Sequence, residues 1–322
     1  MQTSVPKILR TAIILGVSGL VASTSAYAEQ SFDRREIKLG PTRTGPVTIL
    51  AAGDIASCRE DSKMRRWSGR VRRFFGDTST AVPRPIGADM TAALIEKNPD
   101  ATVLVLGDLA YRSGTAFEFE KCFDPSWGKF RDRTYPTPGN HEYRTSRASG
   151  YYDYWGKQAG PDRQGYYSAK LGDWLLLSLN SETDASDGSP QGVWLQRMLR
   201  ENVDRCVLAI FHKPSNSTVS RGGTVSKDLL RLLRDGGADV VLNGHNHFFE
   251  RIADPSSTLE TFVVGTGGRG HGRDNSYGQT QDEERRFAGL GALRMVLSAD
   301  GYTWSFVSTS AEKVGSGRGT CS

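Results

Sequence analysis

The sequence predicts an α/β protein, a four-layer αββα sandwich of two mixed β-sheets flanked by helices, and three observations predict it. Short apolar, β-branched runs end in Gly-Asp or in His: 47–52 before Gly53-Asp54, 102–106 before Gly107-Asp108, and 206–211 before His212. Helical spacing separates these runs, as it must if helices are to cover the faces of largely parallel sheets. Beyond residue 261 the pattern turns to strands alone, across an Asp300-Gly301 turn.

Each element follows from its residues. In 88–97, Met90, Ala93 and Leu94 recur at helical spacing, and the pattern stops before Asn98-Pro99, since a residue preceding proline is held out of the helical region. Runs 166–169 and 174–179 flank Gly172-Asp173 as a hairpin. Residues 191–200 carry Val193, Trp194, Leu195, Met198 and Leu199 as the apolar stripe of a second helix. A third, 224–234, is marked by Leu229, Leu230, Leu232 and Leu233 and stopped by Gly236-Gly237. Strands are expected at 239–242, 262–264, 293–297 and 302–307. The glycine-rich stretch 315–319 reads as part of a loose tail, 311–322, unless Cys321 pins it.

Lys7 and Arg10, the apolar stretch 11–22 and Ala26-Tyr27-Ala28 read as a secretory signal over 1–28. A lead-in follows over 29–46, then one catalytic domain over 47–310. A retained N-terminal anchor is the alternative, although the apolar stretch falls short of the roughly 20 residues of a membrane span. No later segment approaches one, so no transmembrane segment is expected in the mature chain. Cleavage removes Lys7 and Arg10 and no acid, lowering the formal charge of +5 by two. That balance is too mild for a nucleic-acid partner, and the expectation is an exported monomer, periplasmic or extracellular.

Cys58, Cys122, Cys206 and Cys321 allow three disulfide pairings in an exported chain. Cys58 follows the first Gly-Asp motif and Cys122 the second. Both then belong to loops at one end of neighbouring strands, which favours Cys58 with Cys122 and Cys206 with Cys321. Within an insertion at 59–86, residues 59–75 hold Arg59, Lys63, Arg65, Arg66, Arg70, Arg72 and Arg73 beside Trp67, Phe74 and Phe75. This is either a cationic lid that attracts phosphate-bearing substrates or a solvated insertion. The aromatic run Tyr151-Tyr152-Asp153-Tyr154-Trp155 either lines a cleft or packs.

Four of the chain's five histidines sit in short motifs after these strands: Gly139-Asn140-His141-Glu142, Phe211-His212 and Gly244-His245-Asn246-His247. Gly-Asp alone is weak evidence, since Gly76-Asp77 and Gly172-Asp173 read as turns. The ordered set Asp54, Gly107-Asp108-Leu109-Ala110-Tyr111, Gly139-Asn140-His141-Glu142, Ala209-Ile210-Phe211-His212 and Gly244-His245-Asn246-His247 resembles the calcineurin-like metallophosphoesterase superfamily, and within it the purple acid phosphatases. Most members of that superfamily place a His two residues after the first Asp, where this chain has Ala56. The purple subgroup usually has Gly there and offers a Tyr, as Tyr111 does here.

The resemblance implies that Asp54, Tyr111 and His247 hold one metal, Asn140, His212 and His245 the other, and Asp108 both. Phenolate and carboxylate are hard ligands that suit Fe(III), whereas Asn and two His suit Fe(II), Zn(II) or Mn(II). The implied reaction is hydrolysis of a phosphorylated small molecule by metal-bound hydroxide, with Asp108 and His141 catalytic and His141 near the leaving-group oxygen. Glu142 and Glu250 are expected to orient imidazoles. Phe249-Glu250-Arg251 resembles the Tyr-Glu-Arg that often follows the last His-x-His of the subgroup, and Gly265-Thr266-Gly267-Gly268 resembles the Gly-rich loop near the active cleft of relatives, which would put His271 and Arg269, just beyond it, within reach of substrate. Two other readings stay open: a phosphodiesterase or nucleotidase with Mn or Zn, and an exported phosphate- or metal-binding protein without turnover.

Overall fold

The computed structural model describes residues 35–39, 45–58, 86–219, 222–253, 257–269, 286–311 and 313–321. The expected signal segment, most of the lead-in, nearly all of the basic insertion and His271 lie outside the described residues. The first half of the chain runs β1 (Val47–Ala52), the two-residue β2 (Ala56–Ser57), α1 (Ile86–Glu96), β3 (Thr102–Leu106), β4 (Ala110–Tyr111), β5 (Thr134–Thr137) and α2 (Ser149–Trp155). A hairpin of β6 (Tyr167–Leu171) and β7 (Trp174–Ser178) leads to α3 (Pro190–Glu201), β8 (Val207–Ile210), α4 (Thr224–Asp235) and β9 (Val240–Asn243). The rest is β10 (Phe249–Ala253), β11 (Glu260–Val264), β12 (Arg286–Phe287), β13 (Gly291–Ser298), β14 (Gly301–Ser308) and β15 (Lys313–Thr320).

All strands but β2 and β4, which pair only with each other, form two mixed sheets with helices, as expected. One is ordered β15-β14-β13-β1-β3-β5 and the other β12-β10-β11-β9-β8-β7-β6. In the first, β1, β3 and β5 are mutually parallel; in the second, β7, β8, β9 and β11 are. Side chains alternate across a strand, and the second sheet shows it. Leu176, Leu208 and Ile210 join the core that includes Ile49 and Leu104 of the first sheet. Their neighbours Leu175, Leu177, Val207 and Ala209 pack instead with Trp194, Leu195 and Leu199 of α3 and Leu229, Leu232 and Leu233 of α4. Each such fully buried Leu contributes roughly 1.5–3 kcal/mol. Both faces of this sheet are therefore covered, which is why its strands read as continuous apolar runs.

Three of the longer strands depart from the sequence reading. β5 has the sequence Thr-Tyr-Pro-Thr and survives its proline because it is the edge of its sheet. β10 pairs β11 from Phe249 to Ala253 although Glu250 and Arg251 break its apolar pattern. The glycine-rich tail is β15, antiparallel to β14 from Gly301↔Thr320 onward. Cys321 is bonded to Cys206 and pins that strand, and Cys58 is bonded to Cys122, so both favoured pairings are present. The aromatic run resolves as packing: Tyr151, Tyr152 and Trp155 are buried, and Tyr154 stacks on Phe119. Among the described residues no helix is long and apolar enough to cross a membrane.

Candidate metal centre

Loops at the C-terminal ends of the parallel strands converge on one rim, the place where α/β sheets present their sites. Asp54 follows β1, Asp108 follows β3, Asn140 and His141 follow β5, His212 follows β8, and His245 and His247 follow β9. The turns are strained: Asp54, Asp108 and His245 have φ of 59°, 54° and 72°, a left-handed conformation rare outside glycine. That strain turns each side chain inward, and three backbone bonds tie the first two turns together. Asp54 N–H donates to the Gly107 carbonyl, Ile55 to Asp108 and Ala56 to Leu109, each at 3.0 Å.

All seven expected ligands join one connected cluster. The Tyr111 hydroxyl donates to Asp54 Oδ1 at 2.6 Å and lies 3.2 Å from Asp108 Oδ2 and 3.3 Å from His247 Nε2. His247 Nε2 also stands 3.1 Å from Asp54 Oδ1. On the other side, His212 Nε2 is 3.3 Å from Asp108 Oδ2, 3.2 Å from Asn140 Oδ1 and 3.3 Å from His245 Nδ1. Asp108 thus stands between the two groups. It is nearly fully buried, as are Asp54 and His212. Gly139 is required by this closeness, since a Cβ there would lie 2.3 Å from Asp108 Oδ1.

Burial works against charge on these carboxylates, yet His247 and His212 hold Asp54 below its ordinary range, and His212 and His141 hold Asp108 below it too. Burial also opposes charge on His212, but the Asp108 carboxylate draws it up to about 10. His245 is pushed down to about 4 by burial and by that charged neighbour. Burial and the two carboxylates keep the Tyr111 proton in place well above the usual phenol range.

The donor set fits metal ions. His212 Nδ1–H is committed to the Leu106 carbonyl at 2.8 Å, so the nitrogen facing the cluster is Nε2, and the proton that Asp108 holds there is the one a cation would replace. Ligand atoms of Asp108, His212 and His245 lie within 4.8 Å of one another, a spacing one ion can bridge.

His141 lies just outside. Its ring is 4.3 Å from that of Tyr111, Nδ1–H donates to the Arg112 carbonyl at 2.6 Å, and Nε2 faces Asp108 Oδ2 at 3.7 Å. Glu142, expected to orient an imidazole, is bonded to backbone N–H groups. Its Oε2 accepts the N–H groups of Asp108 at 2.9 Å and Gly139 at 2.8 Å, and its Oε1 those of Leu109 at 2.8 Å and Ala110 at 3.4 Å. Burial and the Asp108 charge push this carboxyl up to about 8 against the pull of those donors. Glu250, buried in β10, accepts the Thr218 N–H at 3.3 Å. Sequence reasoning missed the Leu106 and Arg112 carbonyls that fix the imidazoles, because a backbone carbonyl leaves no mark in the residue pattern.

A family model described as calcineurin-like phosphoesterase matches residues 47–249. Among curated relatives, purple acid phosphatase 18 of Arabidopsis thaliana is 29% identical over 168 residues, covering 46% of this chain and 38% of its own. The probable purple acid phosphatase 20 of the same plant is 27% identical over 248 residues, covering 68% and 55%. This chain thus spans about half the length of these relatives, or less. A purple acid phosphatase from yellow lupin seeds superposes with a TM-score of 0.64 at 17% identity, over 87% of this chain and 54% of the lupin chain. GAP50, described as the anchor in the inner membrane complex of Plasmodium, superposes at 0.58 with 13% identity, over 87% and 90%. At these identities the superpositions show a shared fold, and one fold hosts many functions. With the matched model covering most of the chain and purple acid phosphatases among its homologues, the protein belongs to the calcineurin-like phosphoesterase family.

Proposed function

We propose that this chain is an exported phosphatase that hydrolyses phosphate monoesters at a two-metal centre. Asp54, Tyr111 and His247 would hold one ion, Asn140, His212 and His245 the other, and Asp108 both. The carrying observation is the place of the Asp108 carboxylate, within 3.3 Å of both Tyr111 and His212. The hard Tyr111 and Asp54 oxygens suit Fe(III) and the Asn and His donors suit Fe(II), Zn(II) or Mn(II). When bound, such a pair neutralises phosphoryl charge and lowers the pKa of a water.

The chain's own groups do the rest. The rim holds the phosphate where Asp108 and the imidazoles surround it, and the Glu142 clamp keeps the Asp108 turn from relaxing. With His141 Nδ1–H committed to Arg112, Nε2 is the atom that carries the transferable proton. From there it passes to the ester oxygen as the bond to phosphorus breaks. Two disulfides support an oxidising destination.

The test is turnover of p-nitrophenyl phosphate by purified mature protein loaded with iron and zinc, beside Asp108→Asn. Hydrolysis by the wild type and its fall to background in the variant, with circular dichroism unchanged, is the expected result. Full activity in Asp108→Asn would remove the bridging role.

A further inference from the structure

We propose that Arg269 grips the phosphoryl oxygens of the substrate, an inference that rests on the hydrolase reading and names the residue that selects a dianionic phosphate. The loop after β11 is built against the first ligand turn. Gly267 N–H donates to the Gly53 carbonyl and Arg269 N–H to the Asp54 carbonyl, both at 2.8 Å. A Cβ at Gly267 would come within 2.5 Å of the Gly53 oxygen, so the approach needs glycine there. The Arg269 backbone is thereby fixed beside a candidate metal ligand.

Its side chain leans over the same site. The guanidinium carbon lies 5.0 Å from the centre of the Tyr111 ring, whose hydroxyl touches Asp54, Asp108 and His247. Among the described residues no carboxylate pairs with Arg269, and its Nε is buried with no acceptor. A half-buried guanidinium without an anion is costly to keep, whereas its planar fork matches two oxygens of a phosphate. His141, 4.3 Å from the same ring, faces the leaving-group side of the reaction proposed above. Arg269 supplies what that set lacks, a permanent cation for the non-bridging oxygens. A monoester dianion offers these oxygens more charge than a diester monoanion does.

The experiment compares metal-loaded mature wild type with Arg269→Gln and Arg269→Lys, measuring metal content, kcat and KM for p-nitrophenyl phosphate and bis(p-nitrophenyl) phosphate, and inorganic phosphate binding by calorimetry. In Arg269→Gln, kcat/KM for the monoester is expected to fall roughly 10²-fold or more at unchanged metal content. The diester should suffer less, phosphate should bind more weakly, and Arg269→Lys should recover part of the loss. A monoester kcat/KM within about twofold of wild type, or a loss that tracks lost metal, overturns the proposal. If the wild type hydrolyses neither ester, the hydrolase reading fails by itself. Phosphate binding then still decides Arg269: weakened in Arg269→Gln supports it, unchanged refutes it.

Discussion

The two sheets contribute unlike halves to one site. The sheet of β1, β3 and β5 delivers two acids on turns with inverted backbone, and beside them a phenol and an amide, braced by the Glu142 carboxyl group and by the Cys58–Cys122 bond just beyond. The sheet of β8, β9 and β11 delivers imidazoles, and these borrow their orientation from the first half: His212 from the Leu106 carbonyl, and the His245 N–H from Asp54 Oδ2 at 2.7 Å. The two acidic turns are bonded to each other and to the loop after β11, whereas the imidazoles take their orientation from the acidic side. Damage to the acid side should therefore spread across the centre, and damage far from it should not.

The largest effect is expected from the brace. Glu142→Ala strands four backbone N–H groups around Asp108, at about 1–3 kcal/mol for each group left unsatisfied. Water admitted to the gap offsets part of that, and a net loss of about 3–5 kcal/mol in urea unfolding is expected, together with weaker metal retention. A stability within about 1 kcal/mol of wild type would show that the loop holds itself.

Next come the two disulfides, which lie at different ends of the strands. Cys58 follows the acid loops, while Cys206 precedes β8, at the far end from His212. Opening either should cost about 2–4 kcal/mol through the freed unfolded chain. Cys58→Ser with Cys122→Ser should also reduce turnover, and Cys206→Ser with Cys321→Ser should leave kcat near wild type. Equal losses of kcat in both would erase the distinction between the halves.

The smallest structural change, Tyr111→Phe, removes a single oxygen from between Asp54 and Asp108. Iron-loaded wild type should show a visible phenolate charge-transfer band, and the variant should lose it with its fold intact. A band that persists would mean another chromophore.

Much of this was legible in sequence where residue type and physics coincide. Strands 47–52 and 102–106 were readable because strands buried on both faces are apolar throughout, and the order of the candidate ligands was readable because those strands end in the acids and imidazoles that the loops gather. The edge strand around Pro136 was hidden by a residue that interior strands forbid and edges allow. β15 was hidden because its glycines carry no alternation, and its pairing depends on β14 and on Cys321. Glu142 was found, but its partners are backbone N–H groups, which every residue type offers alike. Arg269 could be read only by analogy, as lying past a glycine loop within reach of substrate; its place over Tyr111 depends on bonds to the Gly53-Asp54 turn that no local pattern encodes.

The most direct test of a carboxylate shared between two cations is metal stoichiometry, by elemental analysis after dialysis of the mature protein against limiting iron and zinc. Two ions per chain are expected for the wild type, with Asp108→Ala retaining fewer than one. A wild type that holds one ion or none, or an Asp108→Ala variant that keeps both, would contradict it.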